Sequence, residues 1–125
     1  MLTVNLDEID GIAILEPDGE LSETDFTSAS KIIDPYIEKS GKLNGIIIHV
    51  KSFPGWNSFS ALLTHLSFVK DHHKKVAYVA VVTDSPLGRL AENVANHFIS
   101  AQIKSYPFSE METAKEWIKD NIRAE

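Results

Sequence analysis

The sequence predicts an α/β fold: a mostly parallel sheet with helices packed on it, in the order ββαβαβαβα. Three observations predict it. Two runs, Leu43 to Val50 ("LNGIIIHV") and Val76 to Val82 ("VAYVAVV"), are apolar almost without interruption, as strands are when helices cover both faces of a parallel sheet. Each is followed by apolar residues at three- and four-residue spacing, the period of an amphipathic helix. A chain of 125 residues with 43% hydrophobic and 24% charged residues then has the size and balance of one domain, spanning 1–125.

The elements follow in order. "TVNL" and "GIAILE" read as two short strands joined by the turn-rich stretch Asp7 to Asp10, an opening hairpin. Ser22 stands three residues before Asp25 in a capping-box arrangement, and Phe26, Ala29, Ile33, Tyr36 and Ile37 form one helical stripe. Pro35 lies inside that stripe, where it removes a backbone donor, so the pattern predicts a kink or an early break. The two apolar runs are expected to be central, parallel strands. Trp56, Phe59, Leu62, Leu63, Leu66 and Val69 mark the helix after the first run; Leu87, Leu90, Ala91, Val94, Ala95 and Phe98 mark the helix after the second, with Pro86 suited to its first position. "IKSYPF" is a weaker strand that Pro107 pushes to a sheet edge. Ser109 and Glu112 have the spacing of a capping box ahead of a last helix with the stripe Met111, Ala114, Trp117, Ile118 and Ile122.

Composition excludes several classes of function. Eighteen acidic against twelve basic residues give a formal charge of -6, which opposes binding to nucleic-acid phosphates. With no cysteine, disulfides and thiolate chemistry are ruled out. The N-terminus "MLTVNLDEID" lacks the basic and apolar regions of a signal peptide, and no apolar run approaches a membrane span, which predicts a cytoplasmic protein.

The stretch "FPGW" after the first apolar run, "FVKDHHKKVAYVAVVTD" through the second, and "EMETAKEWI" near the end resemble the SpoIIAA-like family, which is related to the STAS domains of anti-sigma-factor antagonists. The resemblance covers most of the chain. It implies a βα superhelix and a regulatory protein-interaction module, and the shared fold is also likened to lipid-binding CRAL-TRIO domains. In STAS antagonists a serine beside an aspartate, at the start of the helix after the third strand, is phosphorylated by a partner kinase. This chain has no Asp-Ser pair there: the turn reads Phe53-Pro54-Gly55-Trp56-Asn57-Ser58-Phe59-Ser60. Ser58 and Ser60 are the candidates for such a switch, because a helix N-terminus favours added negative charge.

Signals for catalysis are thin. His65 and His72 are seven residues apart on one helix, about 10 Å along its axis and too far for a shared ion. His49, inside an apolar strand, reads as a hydrogen-bonded core imidazole. Neither a G-x-S-x-G elbow nor a glycine-rich phosphate loop is present, so the expectation is a non-enzymatic protein without metal or cofactor.

Binding is the better expectation. Open α/β sheets take ligands outside the carboxyl ends of their strands. Lys51, Ser52 and Phe53 sit there after one central strand, and Asp84, Ser85 and Arg89 after its neighbour. The bland reading of Asp84 and Ser85 is helix capping, with Arg89 solvated. The helix opened by Trp56 carries apolar residues on two faces. It reads either as a wedge in the core or as a gate over an apolar pocket hinged at Pro54-Gly55. The leading expectation is a module whose Phe53, Trp56, Phe59, Leu63, Asp84, Ser85 and Arg89 bind a small apolar, lipid-like ligand. The alternative is a protein-binding regulator of the anti-sigma-factor antagonist type. The run Lys70 to Lys75, at the end of the Trp56 helix, adds peripheral membrane contact as an expectation. A homodimer through the exposed faces of that helix is a further one.

Overall fold

The computed structural model describes residues 1–52, 76–85, 92, 94–96, 98 and 101–125. Among the described residues, five strands form one sheet in sequence order: β1 (Leu2–Asp7), β2 (Ile12–Pro17), β3 (Leu43–His49), β4 (Val76–Val82) and β5 (Gln102–Tyr106). β1 pairs antiparallel with β2, while β2, β3, β4 and β5 run parallel, with Ile14 opposite Ile47 and Ile47 opposite Ala80. The opening hairpin, the two central strands and the weak edge strand all stand where the sequence placed them.

The hairpin turn is held by Asp7, whose Oδ1 accepts the amides of Ile9 and Asp10 at 3.0 Å each. Gly11 closes it with a positive φ of 67°, and its amide donates to the Asp7 carbonyl at 2.8 Å. The backbone amide of Asp10, more than any other group, holds the Asp7 carboxyl below its ordinary value.

Helix α1 (Glu23–Ser40) opens on the expected capping box. The Ser22 side chain accepts from the Asp25 amide, and the Asp25 carboxylate accepts from the Ser22 amide at 2.8 Å. It closes on Gly41 in the left-handed region, φ 89°, whose amide reaches the Ile37 carbonyl. Of the kink or early break expected at Pro35, the break does not occur: the helix runs through it for 18 residues. The carbonyl that loses its partner to Pro35 belongs to Lys31, and both residues face solvent, where water can satisfy it.

The last helix, α2 (Met111–Ala124), corrects a second expectation. Its N-cap is Glu110, not Ser109, and no side chain caps it. The Glu110 amide donates to the Pro107 carbonyl at 2.9 Å, so Ser109 is spent inside a β-turn and the helix starts one residue later.

Strand alternation sorts the core into two layers. Ala13, Leu15, Ile46, Ile48, Val79 and Val81 face Ala29, Ile33 and Ile37 of α1, joined by Val94 and Phe98. Ile12, Ile14, Ile47, Ala80 and Val82 face Ala114 and Ile118 of α2. With Ile46, Ile47 and Ile48 all fully buried, successive β3 side chains feed both layers, each contributing about 1.5–3 kcal/mol. Glu92, Val94 and Ala95 are helical, as the pattern after β4 required, although Ala95 is exposed.

Candidate functional site

Because β2 to β5 are parallel, their carboxyl ends gather at one edge of the sheet. A recess of about 420 Å³ opens there, lined by Glu16 near the end of β2 and Asp18 just beyond it, His49 at the end of β3 with Lys51 and Ser52 following, and Phe108 after β5.

His49 is its centre. The Nδ1 atom lies 2.9 Å from Glu16 Oε2 and Nε2 lies 3.3 Å from the Phe108 carbonyl oxygen. The imidazole stacks on the Phe108 ring, centroids 4.4 Å apart and planes 8° apart. Glu16 is steadied from the edge strand, where Asn5 Nδ2 donates to its other oxygen at 3.3 Å. Both ring nitrogens are therefore occupied, which suits a positioned structural imidazole better than a free general base.

The β4 end is tied to its neighbours by backbone and hydroxyl. Thr83 is fully buried; its Oγ1 donates to the Lys51 carbonyl and accepts from the Ser85 amide, each at 3.2 Å. The Asp84 amide also reaches the Lys51 carbonyl at 3.2 Å, and its carboxylate accepts from the Phe108 amide at 3.0 Å. These bonds bring the ends of β3 and β4 and the loop before α2 onto one patch.

Of the residues singled out from sequence, Asp84 and Ser85 stand beside this patch. Asp84 spends its carboxylate on the loop before α2. Phe53, Trp56, Phe59, Leu63 and Arg89 lie outside the described residues, as do the candidate phosphorylation sites Ser58 and Ser60 and the run Lys70 to Lys75. Sequence reasoning did not assign Glu16 or Phe108 to the site, and it read His49 as core. The available signal was a polar residue closing an apolar strand: Glu16 ends "IAILE", His49 ends "GIIIH" and Thr83 follows "VAVV". Among the described residues no cluster of three His, Cys, Asp or Glu could hold a metal ion, and no helix is long and apolar enough to cross a membrane.

A mostly parallel five-stranded sheet with α1 on one face, α2 on the other and a recess at the strand ends defines a STAS-like α/β domain. The chain belongs to the SpoIIAA-like family, whose family model matches residues 12–119. No curated protein and no solved structure matches it.

Proposed function

We propose that this chain is a non-catalytic regulatory module of the anti-sigma-factor antagonist type that docks a protein partner on its strand-end surface. Family membership supports the class, since STAS-like domains commonly bind proteins. The observation that carries the reading is the composition of the recess: Glu16, Asp18, His49 and Lys51 set charges of both signs beside the apolar Pro17, Val50 and Phe108, with the His49 ring held in place from both sides. Such a surface suits the rim of a protein interface, where charge pairs set partner choice and approach rate. The apolar-ligand reading rests on Phe53, Trp56, Phe59, Leu63, Asp84, Ser85 and Arg89, of which Asp84 and Ser85 alone are among the described residues.

The test is a charge-reversal pair. Partners would be captured with the full chain, identified by mass spectrometry and rebuilt from purified components. Lys51→Glu and Asp18→Lys should each weaken that binding about tenfold or more, the scale of a single interface contact. Unchanged affinity in both variants, with folding intact, would move the docking surface elsewhere. Native mass spectrometry of the same preparation would reveal a lipid-like passenger, and phosphopeptide analysis would report on Ser58 and Ser60.

A further inference from the structure

We propose that His49 is a proton-controlled latch that ties the loop opening α2 to the ends of β2 and β3. The geometry sets the condition. Nδ1 faces a Glu16 carboxylate oxygen at 2.9 Å and Nε2 faces the Phe108 carbonyl oxygen at 3.3 Å. A peptide carbonyl only accepts, and so does an ionised carboxylate, whereas a neutral imidazole has one N–H and one lone pair. One neutral ring cannot serve both oxygens. The arrangement requires one more proton than a neutral ring beside a carboxylate, whether that proton rests on His49 or is shared with Glu16.

Charged groups face the ring from several elements. Glu16 faces the ring from β2, and Asp18 shares the recess beyond it. From the end of β4, Asp84 holds the Phe108 amide at 3.0 Å, so the Phe108 residue is gripped through its N–H by Asp84 and through its C=O by His49. Lys51 lines the recess as the opposing cation. The His49 side chain is 15% exposed, enough for exchange of a proton with water.

Loss of that proton has a directed consequence. The shorter, charge-assisted bond to Glu16 keeps the remaining N–H on Nδ1, which leaves the Nε2 lone pair against the Phe108 oxygen. The loop then loses its tie to His49 and keeps only the Asp84 grip on the Phe108 amide, while the strand side holds. Acid closes the latch and alkali opens it, and the face that changes shape is the wall of the strand-end recess. The inference stands whether or not a protein docks there.

Nitrogen-15 NMR of the His49 ring in the full chain, recorded from about pH 5 to 8.5 where histidines change charge, tests it together with amide exchange at Phe108. A doubly protonated ring at the acid end and an Nδ1–H tautomer at the alkaline end are expected. Protection at the Phe108 amide, corrected for intrinsic exchange, should fall about tenfold between them, the weight of one net hydrogen bond. His49→Gln should abolish the pH dependence. The proposal is overturned by an Nε2–H tautomer at the alkaline end, by constant protection, or by a pH-dependent change that survives in H49Q.

Discussion

Ile118 of α2 fills the space that Gly45 of β3 leaves open. A Cβ on Gly45 would lie 2.8 Å from both Cδ1 and Cγ2 of Ile118, closer than side-chain carbons pack. The two carbons stand on different branches of a β-branched side chain whose stiff χ1 makes withdrawing both costly. This close approach lets α2 settle against the middle of the sheet and places the loop before it, with Phe108, over the strand ends.

Gly45→Ala is therefore expected to destabilise the fold by about 1–3 kcal/mol through overpacking, outweighing the roughly 0.5–1 kcal/mol that alanine gains over glycine in a strand. Urea denaturation would measure it. Ile118→Ala alone should cost about 2–5 kcal/mol, and the double variant less than the sum, because the methyl added at one site enters the cavity made at the other. Strict additivity would show that the contact does not govern the packing.

Thr83→Val tests the buried hydroxyl under the strand-end patch. Valine keeps the shape but removes the donor to the Lys51 carbonyl and the acceptor for the Ser85 amide. A loss of about 1–3 kcal/mol is expected, with Thr83→Ser retaining most of the stability. The Lys51 carbonyl keeps the Asp84 amide, so the loss should fall toward the lower end.

Two carboxylates make stability depend on acid. The Ser22 amide, first among its partners, holds the Asp25 carboxyl below its ordinary value, and the Asp10 amide does the same for Asp7. A carboxyl lowered by folding stabilises above its unfolded value and loses that contribution as pH falls through the folded one. The loss therefore begins below about pH 4, the ordinary aspartate range. Asp25→Asn and Asp7→Asn should each lower stability at neutral pH, and the gap to the unmodified chain should narrow as denaturation is repeated down toward pH 2.5. A constant gap would mean that the charge is not what these turns use.

Much of the architecture was legible in advance, and the reason is local. The apolar runs of β3 and β4 could only be two-sided strands, and the stripe Phe26, Ala29, Ile33, Tyr36, Ile37 could only be one face of a helix. Local rules failed where two of them competed. Pro35 argued for a break that the buried stripe around it and solvent at Lys31 made unnecessary, and Ser109 offered a cap that the turn begun by Pro107 had already used. The site was less legible. Asp84 and Ser85 were placed at the strand ends by position alone, whereas the link from Glu16 through His49 to Phe108 joins residues far apart along the chain.

By itself, the amino-acid order determined which segments become strands and which become helices, since periods of two and 3.6 residues are written directly into neighbouring positions. It also carried the family, through stretches such as "FPGW" and "AVVTD". Only the tertiary structure decided what the polar residues at the strand ends do. Parallel pairing brings Glu16, His49 and Phe108 to one edge, and a hydrogen bond between them depends on distances of about 3 Å that no spacing along the chain encodes.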